Sequence, residues 1–158
     1  MDTLSRNKFF LTFPDVMISY LPPHLQPVQV IKWRWLIKFH FGEPRLHYEL
    51  SRAARGDGWE IGLHFEARDR QLNQYLLQGF RRHLFEIKDC LGDSIEAEMW
   101  DKGWAKVYEV YPNAPLTTAY QVALGRRFAQ VITCLHPFLV DLRRSAAQAS
   151  GQLQFTAL

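Results

Sequence analysis

The sequence is poor in cysteine and has no long apolar run, and each shortage excludes a class of protein. Its 158 residues include two cysteines, Cys90 and Cys134, too few for a disulfide-stabilised scaffold, so we expect a reducing, cytoplasmic location. No apolar run reaches the roughly 18 residues that a membrane-spanning helix needs, so no membrane partner is predicted. The N-terminal stretch MDTLSRNKFF lacks the apolar segment of a secretory signal, and none is expected.

Short catalytic motifs are also missing. The chain has no G-x-S-x-G, no G-x-G-x-x-G, no Walker-type loop and no C-x-x-C. These patterns mark nucleophile elbows, nucleotide-binding loops and redox or zinc sites. The sequence therefore predicts no cofactor and no catalytic residue. The missing motifs favour a protein that is not an enzyme, but they do not exclude an enzyme.

The composition is that of a folded globular chain. Hydrophobic residues make up 47%, charged residues 22% and aromatic residues 14%, with a formal net charge of +3. This balance excludes intrinsic disorder. No linker of low complexity divides the chain, so we predict a single domain over residues 1–158.

Hydrophobic periodicity predicts an α+β fold with an antiparallel sheet, formed by a three-stranded meander and a second hairpin, packed against two or three helices. Alternation of apolar and polar residues predicts the strands, at 30–41, 46–51, 59–66, 95–100 and 105–111. Three- and four-residue spacing predicts helices at 69–91 and from 117 or 118 onward, the latter kinked or divided at Pro137. Residues 1–29 are expected to be an irregular strap or a short helix, and residues 145–158 a frayed tail.

The first predicted strand combines aromatic and basic residues. Trp33 and Trp35 share the parity of the apolar set and are expected to be buried. The residues that alternate with this apolar set are mostly basic, and a pair of arginines lies in the predicted helix over 69–91. The candidate partner-binding residues are therefore Lys32, Arg34, Lys38, Arg81 and Arg82. Basic and aromatic side chains together are typical of proteins that bind single-stranded nucleic acid.

A row of histidines is the most specific feature of the predicted sheet. If Phe41 pairs with Leu46 and Arg52 pairs with Trp59, then His40, His47 and His64 lie side by side on three adjacent strands. Glu49 and Glu66 are expected nearby. Neutral imidazoles at this spacing can hold zinc or another divalent ion, so these three histidines are the candidate metal ligands. The alternatives are a pH-responsive patch or histidines with no ligand.

The second predicted hairpin is acidic. The carboxylate cluster on it is Glu96, Glu98, Asp101 and Glu109, with Glu86, Asp89 and Asp93 just before it, so residues 86–111 hold seven acidic and three basic side chains. Such carboxylates can bind magnesium for phosphodiester hydrolysis. The predicted register sets Met99 opposite Lys106, and it also sets Glu96 against Glu109.

Residues 59–142 resemble a bacterial family of uncharacterised domains. The similarity is carried by Leu63-His64-Phe65-Glu66, Asn73, Ile87, Leu91-Gly92, Ile95-Glu96 and Lys106-Val107-Tyr108. Members of that family often occur beside restriction-type nuclease domains, so the resemblance implies an accessory or nucleic-acid-associated role. The order of elements is also similar to type III secretion chaperone-like folds, which act as dimeric binding modules.

Two functions follow as expectations. The first is a non-catalytic binding or accessory module, a homodimer that engages a protein or nucleic-acid partner. The alternative is a metal-dependent hydrolase or nuclease-like enzyme that uses the histidine row or the carboxylate cluster.

Overall fold

A computed structural model describes the backbone of residues 2–156 and the side chains of residues 2–151. Within these residues the helices are α1 (Arg6–Ser19), α2 (Arg70–Arg82), α3 (Leu84–Leu91) and α4 (Thr118–Thr156). The strands are β1 (Gln29–Trp33), β2 (Leu36–His40), β3 (Leu46–Arg52), β4 (Gly58–Phe65), β5 (Glu96–Trp100) and β6 (Trp104–Pro112). They form one sheet in the order β1-β2-β3-β4-β6-β5, with every neighbouring pair antiparallel. The predicted α+β class and antiparallel sheet are confirmed.

The first predicted strand is two strands. β1 and β2 form a tight hairpin in which Trp33 pairs with Leu36, and the turn residue Arg34 has a positive φ of 38°. A two-residue turn that contains no glycine, asparagine or proline leaves the alternation of apolar residues visually intact, which hides the hairpin. The turn moves Trp33 to the face opposite Ile37. Trp33 is 71% exposed and Trp35 41% exposed, so their predicted burial is wrong.

The second hairpin is displaced by one residue from the predicted register. A three-residue turn places Met99 opposite Ala105 and Glu96 opposite Tyr108. A shift of one residue moves a side chain to the other face of the sheet. Glu109 therefore lies on the helix-covered face, where the Arg127 guanidinium donates to its carboxylate through Nη2 at 2.8 Å. The predicted opposition of Glu96 and Glu109 does not occur.

The helices also differ from the prediction in their limits. Residues 6–19 form a regular helix capped by the Ser5 hydroxyl, which accepts from the Lys8 amide, so the helical alternative for residues 1–29 is the correct one. The predicted helix over 69–91 is interrupted at His83. Pro137 does not divide α4, and the helix includes residues 145–156, which were expected to fray. Residues 157 and 158 of that expected tail lie outside the described residues.

The helices pack against one face of the sheet. There the inward side chains of β2, β3, β4 and β6 join residues of α1, α2, α3 and α4 in one contiguous hydrophobic core. Phe39, Tyr48, Leu63 and Phe65 are fully buried in it. The described helices include none long and apolar enough to cross a membrane. The opposite face of the sheet carries no helix among the described residues, and its side chains are polar in the middle strands.

Candidate metal centre

Four side chains meet on the helix-free face of β3 and β4. His47 pairs directly with His64, as the predicted register requires. Glu49 follows His47 by two residues on β3, and Glu66 follows His64 by two residues at the end of β4, so strand alternation puts all four on one face. We call this set, His47, Glu49, His64 and Glu66, the histidine–glutamate cluster. One ligand atom from each of its members lies within 4.8 Å of the others.

His47 has one nitrogen held by the backbone and the other aimed at two carboxylates. Its Nδ1 lies 2.8 Å from the carbonyl oxygen of Pro44. A carbonyl oxygen only accepts, so Nδ1 carries a proton. Its Nε2 lies 3.3 Å from Glu49 Oε1 and 3.9 Å from Glu66 Oε2. The Nε2 atom is therefore the nitrogen of His47 that faces Glu49 and Glu66.

His64 repeats this arrangement with a carboxylate as its outer partner. Its Nε2 lies 3.1 Å from Oε1 of Glu60, and its Nδ1 lies 3.5 Å from Glu49 Oε2 and 3.4 Å from Glu66 Oε1. Metal-binding histidines usually donate their second ring N–H to a carbonyl or carboxylate, which fixes the tautomer and the ring orientation. Both histidines therefore have the outer partner that a metal ligand needs and point the inner nitrogen at the same two carboxylates.

The electrostatics of the cluster show how strongly the carboxylates favour a positive charge. Burial alone would lower the pKa of His64, but hydrogen bonds to Glu60 and Glu66 outweigh it and raise that pKa to about 9. Burial opposes a low pKa at Glu66, yet His64, His47 and Lys38 together lower the pKa of that carboxyl. A divalent ion at this place would replace the inner proton of His64, because neutral imidazole and ionised carboxylate are the ligating forms.

A lysine lies on either side of the cluster. Lys38 lies on β2, and its Nζ is 3.7 Å from Oε2 of Glu66, at the end of β4. Since β3 lies between those strands, the Lys38 side chain crosses over the strand that carries His47. From the other flank, Lys106 on β6 donates to both carboxylate oxygens of Glu60, at 3.0 and 3.2 Å. His47 is fully buried, although no helix of the described residues lies on this face.

His40 does not join the cluster. It is buried on the same face of β2, but its Nδ1 accepts from the Gly42 amide at 3.1 Å. Of the three predicted histidine ligands, the structure therefore brings together His47 and His64, and Glu49 and Glu66 complete the set in place of His40. Lys38 pairs with Glu49 and Phe39 pairs with Tyr48, which is the register that the predicted pairing of Phe41 with Leu46 implies.

The candidate partner-binding residues lie at separate places. Lys32 and Arg34 line a shallow depression beside α1, where Lys32 donates to the Leu11 carbonyl. Lys38 is on the helix-free face, beside Glu66. Arg81 donates to the backbone of Ala97 on the edge strand β5, and Arg82 is exposed at the end of α2. The five residues do not form one continuous basic surface.

The acidic residues of the second hairpin are also dispersed. Glu109 is bound by Arg127 on the core side, while Glu98 accepts from the Tyr108 hydroxyl on the helix-free face. Among the described residues, the histidine–glutamate cluster is the group of three or more potential ligands close enough to share an ion. The carboxylates of β5 and β6 do not form a second such group.

The class of protein that this geometry defines is an α+β protein with a buried two-histidine, two-carboxylate cluster on an open sheet face. Comparison with protein-family models, with curated proteins and with solved structures found no match to the chain. The site is therefore interpreted from its own chemistry.

Sequence reasoning missed two members of the site's surroundings. Glu60 contacts the outer nitrogen of His64, and Lys38 reaches across β3 to Glu66. Neither contact follows from the alternation of residues alone. The signal that was present is parity: Glu60, His64 and Glu66 share one face of β4, so a second carboxylate beside His64 was readable from the sequence.

Proposed function

We propose that this protein binds one divalent transition-metal ion through His47, Glu49, His64 and Glu66. The observation that supports this proposal is the orientation of both imidazoles, each with its outer nitrogen on an acceptor and its inner nitrogen on Glu49 and Glu66. Two nitrogen and two oxygen ligands suit Zn²⁺, Mn²⁺ or Fe²⁺. They suit Cu⁺, which prefers thiolate ligands, and Ca²⁺ or Mg²⁺, which prefer oxygen ligands, less well.

The outer side of the ion would carry no further protein ligand among the described residues, although His47, Glu49 and His64 are themselves buried. All four ligands rise from one face of two adjacent strands, so they approach an ion from the same hemisphere. Structural zinc sites are instead enclosed by four tetrahedral ligands, whereas catalytic sites keep a position for water or substrate. This one-sided ligand set favours a catalytic site over a structural one.

Metal-dependent hydrolysis is the reaction class that we assign to such a site. A divalent ion supplies a Lewis acid and an activated water at neutral pH. Of the protein groups, Glu60 holds His64 in the ligating tautomer, Pro44 does the same for His47, and Lys38 sets a positive charge beside Glu66.

A direct titration tests the metal proposal. The chain is freed of metal with a chelator and titrated calorimetrically with Zn²⁺ and with Mn²⁺. We expect one ion per chain, loss of binding in His47→Ala and Glu49→Gln, and unchanged binding in the matched controls His40→Ala and His83→Ala. No saturable binding, or equal binding by His47→Ala, would show that the cluster is an ion-paired network of protonated histidines.

A hydrolase assay follows on the same proteins. Metal-loaded chain is expected to hydrolyse p-nitrophenyl phosphate or p-nitrophenyl acetate, and Glu49→Gln is expected to abolish the reaction. Turnover that persists after metal removal, or that is absent from the fully loaded chain with both esters, counts against the hydrolase assignment.

A binding module in the cytoplasm, acting as a homodimer, is a second candidate. The observation that favours it is the edge strand β1, where Trp33 and Ile31 are exposed beside unpaired backbone groups. Exposed apolar edge strands pair with other chains. Light scattering after size exclusion tests it: a dimer that Trp33→Ser converts to a monomer supports this role, and a monomeric native chain opposes it.

A further inference from the structure

We propose that the groove beside Glu66 binds a small aryl anion, a single aromatic ring with one phosphate or carboxylate group, whose charged end lies between Lys38, Arg45 and the bound ion. This inference rests on the proposed metal site, and it names the ligand class that the site would act on. Apart from Glu66, it concerns residues outside the histidine–glutamate cluster.

The groove has the size of a small-molecule pocket and opens onto a cluster ligand. It encloses about 500 Å³, within the range of roughly 300–1,000 Å³ typical of ligand pockets. Its apolar wall is formed by residues of β1 and β2, and its polar wall by residues that contact the metal centre. The lining residues that matter here are Ile31, Trp33, Leu36, Lys38, Arg45 and Glu66.

The polar wall carries two cations beside one carboxylate. The Arg45 guanidinium donates through Nη1 to the backbone oxygen of Glu66 at 3.3 Å, which engages a single N–H of its five. Lys38 Nζ lies 3.7 Å from Glu66 Oε2. A forked guanidinium and an ammonium on one wall are the groups that bind phosphate and carboxylate oxygens.

Metal binding would make the groove more strongly anion-attracting. Glu66 balances Lys38 while no ion is bound. Once an ion takes the Glu66 carboxylate as a ligand, the negative charge is shared with the ion, and the Lys38 ammonium loses its partner. The groove then holds Lys38, Arg45 and the outer side of a divalent ion. An anion is the ligand that such a site attracts, and its affinity should depend on the metal.

The apolar wall sets the second half of the ligand. Trp33 is 71% exposed and Ile31 38% exposed, and the β1–β2 register places both on the same face as Lys38. Exposed aromatic and aliphatic side chains beside a polar wall favour a planar apolar group, which packs on the indole ring. A ligand whose ring packs on the apolar wall and whose charged group lies at the polar wall is an aryl anion.

The other groove on this face is less suited to an anion. It encloses about 450 Å³ and is bordered by Glu60, Glu98, Lys106 and Tyr108. Lys106 is already bound by both oxygens of Glu60, and Glu98 adds a further negative charge. Arg55 also borders this groove, so its two cations, Lys106 and Arg55, are matched by the two carboxylates of Glu60 and Glu98, and the groove carries no net positive charge.

The test measures aryl-anion binding to the full chain, before and after loading with one equivalent of Zn²⁺. The probes are phenyl phosphate and benzoate, which carry both ring and charge, and inorganic phosphate and phenol, which each lack one. We expect at least one aryl anion to bind the zinc-loaded chain at least about tenfold more tightly than phenol or inorganic phosphate does. The same anion should bind the metal-free chain at least about tenfold more weakly, and each difference corresponds to about 1.4 kcal/mol. Phenyl phosphate and benzoate distinguish a phosphate from a carboxylate ligand.

Variants separate this inference from the metal proposal. Lys38→Met should keep one Zn²⁺ per chain and lose about tenfold in aryl-anion affinity, whereas Lys32→Met, on the opposite face of the same hairpin, should change neither. Trp33→Ala should weaken the aryl anions and leave inorganic phosphate unchanged. One bound Zn²⁺ with no aryl-anion binding, or unaltered binding in Lys38→Met, overturns the ligand inference alone. A chain that binds no Zn²⁺ overturns both.

Discussion

Lys38 on β2 reaches past β3 and places its ammonium nitrogen 3.7 Å from the Oε2 atom of Glu66, at the end of β4. The contact sets a positive charge where a metal ion would need Glu66 as a ligand. Lysine and a divalent ion therefore compete for one carboxylate.

Removing the lysine charge should strengthen metal binding. In Lys38→Met, a divalent ion no longer meets a cation beside Glu66, so we expect its dissociation constant to fall about three- to tenfold. Calorimetry at low salt measures the change, and higher salt should reduce it because exposed charges are screened. Weaker metal binding in Lys38→Met would mean that the lysine orients Glu66 and does not compete with the ion.

Glu60 should tune the metal site without ligating the ion. Glu60→Gln removes the carboxylate that accepts from His64 and from Lys106. Loss of such an outer partner typically lowers metal affinity about 10- to 100-fold. The matched control is Glu98→Gln. The native Glu98 carboxylate accepts from the Tyr108 hydroxyl on the same face and is not hydrogen-bonded to His64. Equal loss of affinity in the two variants would remove the special role of Glu60.

The β1–β2 hairpin has its own test at Arg34. Because Arg34 has a positive φ of 38°, glycine should be tolerated there, and Arg34→Gly should leave the free energy of unfolding unchanged or raise it by up to about 1 kcal/mol. Lys32→Gly, within β1, should lower stability by about 0.5–1 kcal/mol. Urea unfolding measures both. Destabilisation of Arg34→Gly as large as that of Lys32→Gly would favour the single strand that the sequence pattern predicts.

The ion pair of Glu109 and Arg127 should carry a large part of the stability of the β6–α4 contact. Glu109 is 4% exposed, and the guanidinium of Arg127 contacts both its carboxylate and the carbonyl of Leu91. Arg127→Met leaves a buried charge unpaired, so we expect a loss on the order of 3 kcal/mol in urea unfolding. Arg126→Met is the control, since Arg126 lies over the exposed ring of Tyr20. A double variant with Glu109→Gln should recover part of the loss.

The sequence predicted those parts of the fold that alternation and short turns determine. The pairing of His47 with His64, and the nearness of Glu49 and Glu66, follow from turn registers that a strongly apolar core face enforces. The β1–β2 hairpin escaped prediction because Arg34 and Trp35 carry no turn signal. The second hairpin was shifted because Asp101-Lys102-Gly103 forms a three-residue turn, with a positive φ of 64° at Lys102, where a turn of four residues was expected.

The site could be predicted only in part, for a different reason. Strand parity specifies the face on which a side chain lies, but not how far it reaches. His40 lies on the predicted face yet accepts from Gly42, while Lys38 spans a whole strand to reach Glu66. Such choices depend on side-chain rotamers and on neighbouring charges, which periodicity does not encode.

Anomalous scattering from a crystal of the zinc-loaded chain tests the central claim most directly. The account predicts a single strong peak about 2.0–2.2 Å from His47 Nε2, His64 Nδ1 and the nearest carboxylate oxygens of Glu49 and Glu66, with no ligand from His40. Zinc bound at another place in the chain with no peak at the cluster, or a peak bound by His40, would contradict this claim.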